Sequence, residues 1–383
     1  MFLDYEIAVI GAGITGASIA AKLCSAGVSV ALIDKGAAAS LGASSCSGGL
    51  VRLYDTDPLL MELAALSINQ MNEGVFASTY ASALRRTGMI YRAAADQRDA
   101  LCNAIEQHAS ALYPMRLLAR RELGGGGYPL CPDAERVNLF EPNACVGNVR
   151  LAVSALCQVV RQQGMLLEHR DIKAIECRTR DRVDIELGGA TLRCRAVVIA
   201  AGAWTRHLLP QAQLDVRLEV RSIHLARVLT DNDWSMPIID SVAQSYAIPL
   251  TRNIVQTGCG PRDSALWPEH LAQPDARHAE DACRRIEQLG GSAKNARVLD
   301  VLPGFDGYSA DGRPLLGFCA EQSPVYLAAG MSGLGFKLAP GIARIACEQL
   351  LGRLRGGDQP CSDWLALSPQ RCMPDNNSSS VQP

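Results

Sequence analysis

The ten residues Ile-Ala-Val-Ile-Gly-Ala-Gly-Ile-Thr-Gly at positions 7–16 constrain this chain more than any other stretch. A short apolar run ends in a glycine turn and passes into the Ala-rich segment at 17–23. The pattern predicts a buried strand, a tight turn and the first turn of a helix. Gly11 permits the turn, Gly13 lets backbone approach a pyrophosphate, and Gly16 lets helix and strand pack closely. Ile14 and Thr15 then open the helix, whose free N–H groups attract phosphate. A second strand at 28–33 ends in Asp34, where an acid can accept the hydroxyls of a ribose. Strand, turn, helix, strand and acid in this order predict a dinucleotide site.

A chain of 383 residues is long enough for a large core and two lobes. Its net charge of −2 gives no basic field for nucleic acid or an anionic membrane. The 14 cysteines include no Cys-x-x-Cys pair and no zinc-type spacing, so no metal site is expected. Their scatter through apolar segments reads as reduced core cysteines. With no basic leader and no segment long enough to span a bilayer, the expected location is cytoplasmic.

Past Asp34, a Gly/Ser/Ala-rich run extends from Lys35 to Arg52 and contains Ser44, Ser45, Gly48 and Gly49. Such residues let backbone come close to a flat ligand and offer amides and hydroxyls to it. Helical spacing fills much of 58–111, four glycines at 124–127 break the chain, and a helix is expected over 149–163. Alternating strands follow at 172–177, 183–187 and 192–195, then a buried strand at 197–200 reaching Ala201-Gly202-Ala203-Trp204. Long alternating strands are expected at 217–229 and 244–258, and a charged helix at 275–289. Near the end, Asp311-Gly312-Arg313-Pro314 precedes a strand at 325–329 and a second glycine turn, Gly330-Met331-Ser332-Gly333-Leu334-Gly335-Phe336-Lys337. Two such turns some three hundred residues apart suggest a nucleotide domain whose parts are discontinuous in sequence.

Taken in this order, these motifs resemble the D-amino-acid-oxidase-like flavoproteins, on the branch of glycine oxidase and sarcosine oxidase. The resemblance spans nearly the whole chain. It implies an α/β fold with a Rossmann-type, glutathione-reductase-like FAD-binding domain made of 1–75, 145–212 and 310–365. A mainly antiparallel substrate domain would comprise 76–144 and 213–309, with a disordered tail at 374–383. It further implies oxidation of a carbon–nitrogen bond of an amino acid or secondary amine by hydride transfer to flavin N5, giving an imine. Carried over by position, Gly11, Gly13, Gly16 and Asp34 hold the ADP portion, and Lys35, Ser44 and Ser45 surround ribose and pyrophosphate. Gly48 and Gly49 run under the flavin. Ile172 reaches the adenine, Ala201, Gly202 and Trp204 lie by the dinucleotide, and Met331, Gly333, Leu334, Gly335, Phe336 and Lys337 supply N–H groups near the flavin pyrimidine.

The substrate residues are less fixed. In sarcosine-type relatives an arginine after the glycine-rich loop and a lysine after Gly-Phe hold a carboxylate, and Arg52 and Lys337 stand at both places. Their plainer readings are a phosphate or surface contact and a structural cap. Where glycine-oxidase-type relatives carry an arginine, this chain has Asp306, which prefers an ammonium or guanidinium. Gly304 stands where some relatives attach flavin through cysteine, so FAD is expected to be non-covalent. Tyr246 and Gln256 lie on the long strand that roofs the flavin in this family and could face the substrate, or simply pack the strand. Gln256 replaces a lysine that promotes reaction with oxygen, pointing to another electron acceptor. His224 is expected to be structural. A flavoprotein acting on a larger biosynthetic amine, or the FAD subunit of a multi-subunit dehydrogenase with a partner, stays open as an alternative; a nucleic-acid partner is not expected.

Overall fold

The computed structural model describes residues 2–123, 133–212, 214–231, 233–290, 295–356 and 362–373. The glycine run at 124–127 and the tail at 374–383 lie outside them. Among the described residues, six strands form one sheet in the order Met165–Leu167, Val30–Ile33, Ile7–Ile10, Ala196–Ile199, Val325–Ala329, Leu315–Phe318. Neighbours pair in parallel except the last two, which are antiparallel. The strands at 7–10, 30–33 and 196–199 are buried throughout, so they read as unbroken apolar runs.

Helices Ile14–Ser25, Pro58–Met71, Val149–Gln163 and Gly335–Leu354 contribute to the core on one face. The other face packs on a four-stranded sheet that includes Ala174–Thr179, Arg182–Glu186 and Thr191–Cys194. Pro340 lies inside the helix Gly335–Leu354. Proline removes a backbone donor there, and Ser67 patches the break: its hydroxyl donates to the Leu338 carbonyl at 2.9 Å and accepts from Gly341 N–H at 3.0 Å. The Asp-Gly-Arg-Pro motif is a clamp. Arg313 binds both oxygens of Asp57 at 2.6 and 3.2 Å, and Asp57 caps the helix Pro58–Met71. Asp311 accepts from Arg371 at 2.8 Å.

The second large sheet has eight strands and contains Met89–Ala94, Arg136–Glu141, Leu225–Leu229, Ile238–Asp240, Ser245–Pro249, Ile254–Gly258 and Arg297–Leu302. Two sequence expectations need correcting here. The segment 244–258 is a hairpin, because Leu250-Thr251-Arg252-Asn253 turns the chain back and Leu250 N–H bonds the Ile254 carbonyl at 2.9 Å. The segment 217–229 also breaks, at Ile223-His224. Its first half, Leu218–Ser222, pairs with Phe305–Ser309, and its second half joins the eight-stranded sheet. No helix among the described residues is long and apolar enough to cross a membrane.

Candidate active site

A cavity of about 720 Å³ runs from the C-terminal ends of the parallel strands to the inner strands of the second large sheet, where Leu225, Ile239, Tyr246, Ile248 and Gly258 line it. This is where open α/β sheets bind ligands, beyond the carboxyl ends of the strands. Gly11 sits at φ +106°, and a Cβ there would run into the Ala200 carbonyl. A Cβ on Gly16 would strike the Gly11 carbonyl, so Gly16 serves helix–strand packing and is not on the cavity wall. The helix Ile14–Ser25 opens at Gly13 without a side-chain cap, and Ile14 N–H donates to Ser44 Oγ at 2.9 Å. Asp34 is fixed by Ala12 N–H at 2.6 Å and Gly36 N–H at 2.8 Å. Burial raises its pKa against those two donors.

Ser44, Gly48, Gly49, Ile172, Ala201 and Gly202 line the same cavity, as do Thr15 and the turn residues Met331, Gly333, Leu334, Gly335 and Phe336. Ser45 does not: its hydroxyl turns back to the Gly42 carbonyl at 2.8 Å. Lys35 and Trp204 form a bridge that the sequence did not reveal. The Lys35 ammonium lies 3.8 Å from the Trp204 ring centre, and Trp204 Nε1 donates to Glu269 at 2.7 Å. His207 stacks on Trp267 at 3.8 Å beside it.

At the other end stand Arg52, Lys337, Tyr246, Asp306 and Tyr308. Arg52 and Lys337 do come together, but around Asp55, which sequence reasoning missed. Lys337 Nζ lies 2.7 Å from Asp55 Oδ2, and an Arg52 nitrogen lies 3.6 Å from the same oxygen. Burial and the Arg52 charge lower Lys337 to about 8. Burial pushes Asp55 up, but Lys337 and Arg52 together outweigh it and hold the acid below its ordinary value. Two cations thus share one anion. Arg52 Nη1 is buried with no hydrogen-bond partner among the described residues. The buried Glu141 braces the following backbone, accepting from Leu53 N–H at 2.6 Å and from the Tyr113 hydroxyl at 2.8 Å.

Asp306 is 6% exposed. Its two oxygens accept from Gly307 N–H and Gly333 N–H, each at 2.8 Å. Burial nevertheless raises its pKa to about 6. Tyr308 follows two residues later on the same strand and so faces the same cavity; that alternation was the available signal for it. Gln256 is not on the wall. It is buried, with its amide nitrogen 3.5 Å from the position a Cβ on Gly48 would take. His224 accepts from Gly304 N–H at 3.3 Å and packs on His278. A Cβ at Gly304 would stand 2.6 Å from the Ile223 carbonyl oxygen, which leaves no room for a cysteine there.

These residues fit a dinucleotide carrying a flat ring. Gly11, Gly13, Gly48 and Gly49 leave backbone open to a ligand, Asp34 stands where an acid could meet a ribose, and the unpartnered Arg52 Nη1 could donate at the far end. The fold and site therefore define a Rossmann-type dinucleotide oxidoreductase. The chain belongs to the FAD dependent oxidoreductase (DAO) family, whose pattern it matches over residues 6–349, and FAD is its cofactor. It is 24% identical over 363 residues to glycine oxidase of Bacillus licheniformis, covering 91% of this chain and 93% of that one. Among solved structures, L-proline dehydrogenase from P. horikoshii superposes with a TM-score of 0.82 at 19% identity, covering 97% of this chain and 98% of that one. Glycine oxidase from Geobacillus kaustophilus gives 0.79 at 20% identity, covering 97% and 100%.

Proposed function

We propose that the protein oxidises the carbon–nitrogen bond of an amino acid or secondary amine to an imine, which water then hydrolyses. FAD, when bound, supplies the hydride acceptor at N5. The observation that carries the reading is Asp306, a buried carboxylate on the substrate end of an FAD-sized cavity. A carboxylate has about four acceptor positions, and Asp306 spends two on backbone amides. The remaining capacity suits the N–H groups of a substrate amine. With a pKa near 6, Asp306 is ionised at neutral pH and can hold a proton from the amine, leaving the nitrogen lone pair free.

Tyr246 and Tyr308 line the same end of the cavity and would restrict the orientation of the bound amine. The Arg52–Asp55–Lys337 group carries one net positive charge below pH 8 and favours negative charge developing beside it. The glycine oxidase and L-proline dehydrogenase likenesses support an amino-acid substrate. Mixing the purified holoenzyme anaerobically with a panel of amino acids and N-methyl amines tests the reading. Loss of the flavin's visible absorption with at least one of them is expected. A panel that leaves the colour untouched, in a protein that bleaches readily with dithionite, overturns it.

A further inference from the structure

Five described lysines and arginines line the cavity, and four are committed or lie elsewhere. Lys35 is held by Glu269 and Trp204. Arg52 and Lys337 share Asp55. Arg170 stands at the ribose end, its backbone N–H donating to the Asp34 carbonyl at 2.9 Å. The fifth is Arg262, an exposed residue on the cavity lining with no ion pair or hydrogen bond among the described residues.

Its backbone is not loose. Arg262 lies between the strand Ile254–Gly258 and the short strand Ser264–Ala265. Before it, Gly260 N–H donates to Asp281 at 2.7 Å, and Asp281 is itself gripped by Arg285. After it, Asp263 N–H donates to Ser222 Oγ at 2.8 Å. The loop is thus pinned on both sides of a residue whose own side chain is uncommitted. Tyr246 and Tyr308 are its neighbours on the wall: burial raises both phenols, and the Arg262 charge works against that rise at each. Asp306 acts on Tyr308 with the opposite sign. The same cavity wall thus carries a buried acid and a free cation, both felt by Tyr308, a pairing of charges suited to a zwitterionic amino acid.

We propose that Arg262 holds the substrate carboxylate, so that the anion anchor of this enzyme is on the roof loop and not at the Arg52–Lys337 pair. The proposal rests on the amine-oxidation reading above. A planar guanidinium takes a carboxylate through two parallel N–H contacts. The Arg52–Lys337 pair keeps one net positive charge but offers a carboxylate less, because any incoming anion competes with Asp55 for the same two cations.

The test is a titration of oxidised holoenzyme with acetate, pyruvate and benzoate, read as a shift of the flavin spectrum. It needs no turnover. Arg262→Ala should weaken the binding of these carboxylates about ten- to hundred-fold, the range for a lost charge-assisted contact. Arg262→Lys should recover part of that, since an ammonium keeps the charge but not the fork. With substrates that bleach the flavin, KM should rise in Arg262→Ala while kcat stays within a few-fold, and amides of the same substrates should be indifferent. Three results overturn the proposal: wild type whose spectrum none of the three acids perturbs, unchanged binding in Arg262→Ala, or loss confined to Arg52→Met. If no amine bleaches the flavin, the amine-oxidation reading fails, and the titration still reports on Arg262.

Discussion

Replacing Asp306 by asparagine probes a buried acid whose ionisation has a definite energetic signature. The folded pKa is about 6 against an ordinary 3.8. Between those values the native state binds a proton that the unfolded state has released, so stability falls as pH rises from about 4 to 6 and is level above. Two pH units correspond to about 3 kcal/mol. Asparagine removes that slope. It also leaves one of the Gly307 and Gly333 N–H donors facing an amide NH2 group, a pH-independent cost of about 1–3 kcal/mol. Asparagine should therefore match aspartate or exceed it by up to about 2 kcal/mol at pH 7.5 and fall about 1–3 kcal/mol below it near pH 4, a change of about 3 kcal/mol in their relative stability. In a chain this long, that difference is roughly 3–6 °C in melting temperature. Scanning fluorimetry of both proteins at saturating FAD across pH 4–8 measures it. Melting curves that stay parallel over the whole range would refute the buried-acid argument.

Three further outcomes follow from single contacts. Asp55→Asn should cost about 3 kcal/mol at pH 7, because it strands the buried Lys337 beside Arg52; the loss should shrink above pH 8, where Lys337 is neutral, and denaturation at pH 7 and 9 compares the two. Gly11→Ala should fold, by circular dichroism, yet fail to quench FAD fluorescence, because its Cβ meets the Ala200 carbonyl at a positive φ. Gln256→Lys should speed reoxidation of photoreduced enzyme by oxygen, since it brings a full charge next to Gly48; a fast wild type unchanged by the lysine would make this an oxidase and not an enzyme with another acceptor.

What was legible in the sequence was local. Gly11, Gly13 and Asp34 were found on the cavity wall as expected, because strand, turn and acid lie within 28 residues of one another. The helix expected at 149–163 matches Val149–Gln163, because its apolar stripe and the flanking Asn148 and Gly164 mark both ends. The hairpin inside 244–258 was hidden because alternation continues on both sides of a turn without glycine. Asp55 was invisible for a different reason: it lies 282 residues from Lys337, and spacing carries no information about such a pair. Ser44 and Ser45 are adjacent and chemically alike, yet a short 3-10 turn sends one to the helix terminus and the other back to Gly42. Arg262 carries no motif at all; its place follows from the folding of the roof loop onto Ser222 and Asp281.

The central claim is that this chain holds FAD along the cavity and an amine at Asp306, so that the bound flavin would take a hydride from the carbon next to the amine nitrogen. A single anaerobic turnover with the amine that bleaches best, quenched and assayed for flavin oxidation state and for product, addresses it most directly. The expected result is a carbonyl compound and a released amine or ammonia, each in equal amount to the flavin reduced, and flavin that separates from acid-precipitated protein. Flavin that stays oxidised while product forms, or bleaching without any carbonyl product, would contradict it.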